Sequence, residues 1–141
     1  MKSTLMFKAS LGLLLVVAAS TASAGVVVVV SAKSDVTKLD KAQVSQLFLN
    51  KASSFPGGGT AAPVDQAAGA GRNEFYTKVA SKDAAQMKAY WAQLTFTGKG
   101  TQPKQLGSGG DVKKFVAGST SAIGYIDAGE VDASVRVVLT P

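Results

Sequence analysis

The sequence predicts a single α/β domain in which helices flank a short mixed β-sheet. Two observations carry this prediction. An unbroken run of valines, residues 26–30, is typical of a buried strand. Three helix-capping residues, Asp40, Asp83 and Ser108, each precede apolar side chains at helical spacing. Alternation of strands and helices along one chain favours helices packed on a sheet.

The first elements are the valine strand and a capped helix. Continuous β-branched residues predict that the strand is buried on both faces, which is the situation of a parallel sheet. Asp40 and Gln43 have the spacing of a capping box, which starts a helix. The helix is expected to end near Asn50, a residue that tolerates the left-handed conformation. Its apolar face consists of Val44, Leu47 and Phe48.

The middle of the chain is predicted to hold a loop, a strand and a helix. Residues 53–60 contain three successive glycines and form the loop. Residues 61–64 are a short strand candidate. A glycine-rich turn then leads into a helix that is predicted from Arg72 to about Val79.

Two further helices and two strands complete the domain. Asp83 and Gln86 repeat the capping box, and Ser108 caps a helix that should stop at Gly118. Residues 95–109, rich in Gly, Thr and Pro, should be irregular. The apolar faces are Met87, Tyr90, Trp91 and Leu94 in one helix, and Val112, Phe115 and Val116 in the other. The closing strands are residues 122–126 and 135–139, which gives the order β-α-β-α-α-loop-α-β-β.

The amino end is typical of a secretory signal peptide over residues 1–24. Lys2 and Lys8 precede or flank a short apolar run, and residues 22–24 are small, as a cleavage site requires. The run is shorter than the roughly 20 apolar residues that span a bilayer. We therefore expect export to the periplasm, with residues 25–141 as the folded domain. A retained membrane anchor is the alternative.

The residue types present exclude several kinds of chemistry. The chain has no His and no Cys, which removes Ser-His-Asp and Cys-His catalysis and zinc sites built on these residues. Asp127, Glu130 and Asp132 fit a calcium loop poorly and are interpreted as solvated. The net charge is +6, but the cations are spread out, so we expect no nucleic-acid binding. We predict no enzymatic activity, no metal and no cofactor.

One loop offers a mechanism for binding an anion. The first N–H groups of a helix have no intrahelical partner, and the helix dipole adds positive potential there. Gly69 and Gly71 allow positive φ angles and a close approach of the backbone to a ligand. Arg72 adds a guanidinium suited to phosphate. The candidate ligand-binding residues are Gly69, Ala70, Gly71, Arg72 and Asn73.

These residues also have structural interpretations. The glycine-rich segment is equally typical of a simple turn, with Arg72 solvated in the first helical turn. Lys99 lies between two glycines, and it is more simply interpreted as a solvated loop residue than as a ligand contact. Tyr90 and Trp91 could form an aromatic platform, but they share helical spacing with apolar residues, so at least one of them is interpreted as core. Gln66 and Ser121 are candidates for neutral hydrogen bonds near the loop.

Five segments carry a resemblance by their order along the chain. They are residues 39–51, 62–66, 69–72, 96–100 and 122–126. Together they resemble the single-lobe, phosphate ABC transporter substrate-binding-like family of periplasmic solute-binding proteins. The resemblance implies one lobe of a type II periplasmic-binding-protein-like fold. It also implies a binding subunit of an ABC importer, with phosphate or another small oxyanion as ligand and an ABC permease or other envelope protein as partner.

The departures from this family fall at the expected site. Full-length phosphate binders have a Ser-Gly-Thr tip in the anion loop, whereas Ala67 and Ala70 stand here where hydroxyls are expected. Only Gly69 and Gly71 carry over, and Arg72 takes the place of the threonine. The sequence covers one lobe, so weak binding is expected, or a homodimer that completes the cleft. The alternative function is an envelope protein–protein interaction or scaffolding module that has lost solute binding.

Overall fold

A computed structural model describes residues 25–141, and the predicted signal peptide, residues 1–24, lies outside the described residues. The elements are β1 (Val26–Ser31), α1 (Lys41–Phe48), β2 (Ala62–Gln66), α2 (Ala70–Ala80), α3 (Ala84–Phe96), β3 (Lys104–Leu106), α4 (Gly109–Ala117), β4 (Ala122–Asp127) and β5 (Val135–Leu139). A short 3₁₀ turn, Ala128–Glu130, follows β4. In the described part of the chain, no helix combines the length and apolar character needed to cross a membrane.

The strands form one mixed sheet in the order β3-β2-β4-β1-β5. β2 runs parallel to β3 and β4, whereas β1 runs antiparallel to β4 and β5. The predicted α/β architecture with a mixed sheet is confirmed. The parallel environment expected for the valine run is wrong, although the strand is buried on both faces. Burial on both faces requires helices on both sides of a sheet, and it does not fix the direction of the neighbouring strands.

Different helices cover the two faces of the sheet. Val28 and Val30 of β1 belong to the apolar cluster that contains residues of α1, α2 and α3. Val27 and Val29 belong to the cluster that contains residues of α4. Alternate residues of a strand point to opposite faces, so one run of valines packs against both helix layers. The loop from β2 to α2 therefore leads to the three-helix side of the sheet.

Local capping signals predict the helix starts correctly. Asp40 and Asp83 accept hydrogen bonds from the third following backbone N–H at 2.7 and 2.8 Å. Gln43 and Gln86 accept the reciprocal bonds from the capping residues, which completes both capping boxes. Ser108 accepts a bond from a backbone N–H in the first turn of α4 at 3.2 Å. These starts depend on contacts within three residues, which the sequence contains in full.

Other boundaries and faces differ from the predictions. Asn50 adopts the expected left-handed conformation, but α2 begins at Ala70 rather than at Arg72. The segment expected to be irregular contains β3, which pairs with β2. The inward position expected for Phe115 is wrong, because this side chain is 38% exposed. Its ring lies 4.7 Å from Nζ of Lys104, which covers it from outside.

Gly124 of β4 marks a close approach of α4 to the sheet. A Cβ atom at this position would lie 2.5 Å from Cγ1 of Val112 and 3.1 Å from Cγ2 of Val116. Gly124→Ala should therefore push α4 outward and lower the free energy of unfolding by about 1–3 kcal/mol in urea denaturation. Gly110→Ala, in the exposed first turn of α4, is the control and should leave stability unchanged or raise it by up to about 1 kcal/mol, because alanine favours a helix over glycine. Equal stability of the two variants would contradict this packing.

Candidate anion-binding site

The glycine-rich loop joins the end of β2 to the start of α2. Gly69 caps α2 with an extended φ of 167°, and Gly71 lies in the first helical turn. The positive φ angles expected for both glycines are wrong, since neither occurs among the positive-φ residues of 25–141. A Cβ atom at Gly71 would lie 3.4 Å from Oε1 of Gln66, which is ordinary van der Waals contact, so this position has room for a side chain. Residues 67–70 are exposed, so no other part of the described chain covers the loop.

The start of α2 has uncapped backbone donors. Gly69 offers no side chain to the first N–H groups, and no side-chain cap is present. The N–H of Asn73 donates to the carbonyl of Gly69 at 3.0 Å, so the N–H groups of Ala70, Gly71 and Arg72 precede the helical ladder. Such groups, together with the helix dipole, attract anions. The backbone N–H of Asn73 is already bonded to Gly69, so only the side-chain amide of Asn73 is available to a ligand.

Arg72 is held by its neighbours rather than solvated. Its Nε lies 3.6 Å from Oδ2 of Asp65, and the side chain is 18% exposed. Its Cζ lies 5.6 Å from the centroid of the Tyr76 ring, which is within cation–π range. Within residues 25–141, the terminal nitrogens of Arg72 have no hydrogen-bond partner. The guanidinium is therefore fixed beside the start of α2 with donors left for a ligand.

Asp65, the partner of Arg72, is a fully buried carboxylate at the centre of a hydrogen-bond network. Tyr76 donates its hydroxyl to Oδ2 at 2.6 Å, and Tyr125 donates its hydroxyl to Oδ1. The N–H of Gln66 also donates to Oδ1, at 2.8 Å. A buried carboxylate is costly unless donors and a cation compensate it, and here both do so. The sequence analysis missed this role, for which a carboxylate inside an otherwise apolar strand is the available signal.

The network keeps both tyrosines protonated. Burial raises the pKa of Tyr76 above its usual value, and the charge and hydrogen bond of Asp65 raise it further. Burial and then Asp65 likewise raise the pKa of Tyr125. The positive charge of Arg72 acts in the opposite direction on both. Because both hydroxyls stay protonated at neutral pH, both remain hydrogen-bond donors to the carboxylate.

A cavity of about 300 Å³ lies between α2 and α3. Arg72 and Asn73 line it from α2, Lys88 lines it from α3, and Gln102 lines it from the loop before β3. The structure thus brings two of the candidate residues together with two donors that the sequence analysis missed. The other three candidates, Gly69, Ala70 and Gly71, immediately precede this wall and supply the helix start.

The remaining residues singled out in the sequence have other positions. Lys99 is exposed and lies outside the cavity wall. Trp91 is buried as expected, and the half-buried Tyr90 donates its hydroxyl to a backbone carbonyl at 2.5 Å. The role expected for Ser121 near the loop is wrong, because it precedes β4 beside the opposite end of β2. Nε2 of Gln66 donates to the Tyr125 carbonyl at 2.7 Å and is already committed.

The acids between β4 and β5 make local hydrogen bonds. Asp127 accepts the N–H of Gly129 at 2.8 Å. Asp132 accepts bonds from Ser134 and pairs with Lys113 at 3.1 Å. The Ser134 bonds, followed by Lys113, lower the pKa of Asp132 to about 2. Across residues 25–141, no group of three or more His, Cys, Asp or Glu side chains is arranged to hold a metal ion.

Several solved structures share the architecture of this chain. A putative phosphate ABC transporter substrate-binding protein from Clostridium perfringens, with bound phosphate, gives a TM-score of 0.64 at 23% identity over 81% of this chain and 44% of that one. An ABC-type phosphate transport receptor from Vibrio cholerae gives 0.63 at 20% identity, over 81% and 45%. PstS from Borrelia burgdorferi gives 0.57 at 11% identity, over 81% and 46%. No protein-family model and no curated protein matches the sequence.

The chain has the fold of part of a phosphate ABC transporter substrate-binding protein. It spans less than half the length of these structures, so the likeness concerns one portion of each receptor. The family resemblance seen in the sequence is confirmed at the level of fold. At these identities the likeness establishes the architecture of the substrate-binding fold, and ligand binding has to be argued from the cavity itself.

Asp65→Asn tests the buried hydrogen-bond network around this carboxylate. The amide keeps the shape of the side chain, but it removes the charge that pairs with Arg72 and places a donor against tyrosine hydroxyls. We expect the free energy of unfolding to fall by about 3–5 kcal/mol, measured by urea denaturation. Asp35→Asn changes an exposed carboxylate and should shift stability by less than about 0.5 kcal/mol. If the two variants are equally stable, the network does not hold the fold.

The raised pKa values of Tyr76 and Tyr125 predict a loss of stability at alkaline pH. In the unfolded chain both hydroxyls titrate near pH 10, whereas the folded protein keeps them protonated to higher pH. Their contribution is complete below about pH 10. Above it, the free energy of unfolding should fall by about 1.4 kcal/mol per pH unit for each tyrosine.

Urea denaturation between about pH 8 and pH 11 measures this slope for the wild type and for Tyr76→Phe. The phenylalanine variant loses one titrating hydroxyl and keeps the others, so its alkaline slope should be shallower by about 1.4 kcal/mol per pH unit. Lysine titration affects both proteins equally and cancels in the comparison. Identical slopes would contradict the raised pKa of Tyr76.

Proposed function

We propose that the chain is a solute-binding domain that binds phosphate or another small oxyanion weakly at the start of α2. The observation that carries this proposal is the cavity between α2 and α3. There Arg72, Asn73 and Lys88 lie beside an uncapped helix start. Guanidinium, ammonium, amide and backbone N–H groups are all donors to an oxyanion. No acidic side chain is part of the cavity wall in the described chain.

The fold gives this proposal independent support. The similar protein from Clostridium perfringens contains bound phosphate, and the similar protein from Vibrio cholerae is a phosphate transport receptor. In this chain the donors would be the N–H groups of Ala70, Gly71 and Arg72, together with the side chains of Arg72 and Asn73. Helix starts with such groups bind anions in unrelated proteins as well, because the dipole and the free N–H groups act together.

Two features argue for low affinity. Asp65 lies 3.6 Å from Nε of Arg72 and cancels part of its positive potential. The chain also corresponds to less than half of the similar receptors, so it offers fewer contacts to a ligand. A doubly charged anion is costly to desolvate unless many donors replace its water. We expect a dissociation constant on the order of 1 mM.

We also propose that residues 1–24 are a signal peptide and that residues 25–141 work in the periplasm. The support is the sequence pattern of basic residues, a short apolar run and small residues at 22–24. An ABC permease or another envelope protein is then the expected partner, because the similar structures are parts of ABC phosphate transport. A homodimer that completes the cleft is an alternative arrangement. The proposed role involves no catalysis.

Isothermal titration of phosphate into the purified protein should give weak, saturable binding at about 1 mM. Arg72→Met keeps a long side chain but removes the guanidinium, and it should weaken binding about tenfold or more. Lys99→Met removes an exposed lysine outside the cavity and should leave binding unchanged. Circular dichroism checks that Arg72→Met is folded, since Arg72 also pairs with Asp65.

The absence of heat at about 10 mM phosphate would refute oxyanion binding. Equal binding by Arg72→Met and the wild type would refute the location of the site. Recovery of a stable envelope partner whose binding is insensitive to anions would favour an interaction module instead.

A further inference from the structure

The cavity between α2 and α3 is larger than a phosphate ion requires. Its volume is about 300 Å³. Inorganic phosphate has five non-hydrogen atoms and matches only part of that space. The size indicates a ligand that carries a further group beside its oxyanion.

The cavity wall divides into a polar and an apolar part. Arg72 is partly exposed, while Lys88 and Gln102 are exposed, so these polar residues lie at the mouth. Met87 and Trp91, each 2% exposed and one helical turn apart on α3, lie deeper. An ion held against them would lose water without gaining donors, which is costly. An apolar group attached to the ion would gain from burial at the same place.

Trp91 provides a second, independent observation. Its indole Nε1 is buried and has no hydrogen-bond acceptor in the described part of the chain. The indole N–H is a donor only, and buried tryptophans usually find an acceptor for it. Such a donor costs free energy, and because Nε1 itself has no accessible surface, a ligand in the cavity meets the ring of Trp91 and not this atom. Trp91 and Met87 also suit an aromatic body, through ring stacking and a sulfur–aromatic contact.

The charges at the mouth indicate a single anionic group. Arg72 already shares its charge with Asp65 at 3.6 Å. Lys88 forms no ion pair within residues 25–141 and lines the same wall. The mouth therefore carries about one uncompensated positive charge, which matches one carboxylate; a phosphate monoester, with a charge of about −1.5 to −2 at neutral pH, also draws on the shared charge of Arg72.

From these observations we infer that the ligand of this site is an organic anion, a carboxylate or phosphate monoester with a small apolar or aromatic body. Its anionic group meets Arg72 and Lys88 at the mouth, and its body packs against Met87 and Trp91. This inference rests on the proposed function and specifies its class of solute. Inorganic phosphate then occupies only the anionic half of the site.

Titrations with phenyl phosphate, inorganic phosphate and phenol separate the two halves. Trp91 is the single tryptophan of the chain and lines the cavity, so its fluorescence reports on this site, with calorimetry as an independent measure. Phenyl phosphate should change the emission and bind at least about tenfold more tightly than inorganic phosphate. Phenol, which lacks the anion, should bind more weakly than phenyl phosphate by about tenfold or more.

Three variants locate the contacts. Lys88→Gln should weaken the binding of phenyl phosphate about tenfold. Lys114 is an exposed lysine of α4 outside the cavity, so Lys114→Gln should leave binding unchanged. Ala84→Leu adds bulk at an exposed position of the wall and should not disturb folding. It should weaken the binding of phenyl phosphate more than that of inorganic phosphate. The added side chain fills the space for the aromatic body of the ligand and leaves the anionic half of the site intact.

Each other outcome overturns a stated part of the account. Equal affinity for phenyl phosphate and inorganic phosphate would overturn the organic class and leave the proposed oxyanion function standing. Binding of neither anion would overturn both. Tight binding of phenyl phosphate that is unaffected by both Lys88→Gln and Ala84→Leu would place the ligand elsewhere and overturn the assignment to this cavity.

Discussion

The buried carboxylate of Asp65 is the constraint on which the site depends. Asp65 lies in β2 and accepts hydroxyl donors from Tyr125 of β4 and Tyr76 of α2. It therefore ties two neighbouring strands to the helix whose first turn forms the proposed anion site. A buried charge without its partners costs several kcal/mol, so these donors must be in place together in the folded chain. The orientation of α2, and with it the position of its first N–H groups, follows from this network.

Aromatic side chains enclose the network on the three-helix side. The Phe75 ring stacks on Tyr125, with centroids 4.0 Å apart, and Phe48 meets Phe75 edge-on at 4.7 Å.

Asp65 also determines how the site responds to charge. It draws Arg72 towards the protein interior and shares its positive potential, whereas Lys88 keeps its charge at the cavity mouth. Arg72, which stands out in the sequence, is thus partly structural. Lys88, which belongs to no sequence motif, supplies the uncompensated charge. Such a division links binding to stability, because a change at Arg72 affects the buried carboxylate as well as the ligand. It also explains why variants at Lys88 separate the two effects more cleanly than variants at Arg72.

Sequence reasoning succeeds where contacts are local. The capping boxes at Asp40 and Asp83 are correct because each is completed within three residues. It fails where packing between distant segments decides. The valines of β1 indicate burial, but the direction of neighbouring strands depends on the whole sheet. The helical spacing of Phe115 is compatible with an inward face, and its exposure depends on where α4 crosses the sheet.

The candidate site shows the same division between local and distant contacts. Arg72 and Asn73 could be chosen from the sequence because they follow a glycine-rich turn. Lys88 and Gln102 could not, because only the packing of α3 and the following loop brings them to the same cavity. Gly71 is a further example, since the sequence suggests a glycine needed for positive φ, whereas the structure gives it a helical position with room for a Cβ atom.

The central claim is that an anion binds between the start of α2 and the wall formed by α3. Two-dimensional ¹H–¹⁵N NMR during titration with phenyl phosphate tests it most directly, because it reports every backbone amide and the single indole N–H separately. A ligand bound at this place should shift most strongly the amides of Ala70, Gly71 and Arg72 and the indole of Trp91. Largest shifts at residues 33–38 and 55–60, which line the other cavities, or no shifts at all, would contradict it.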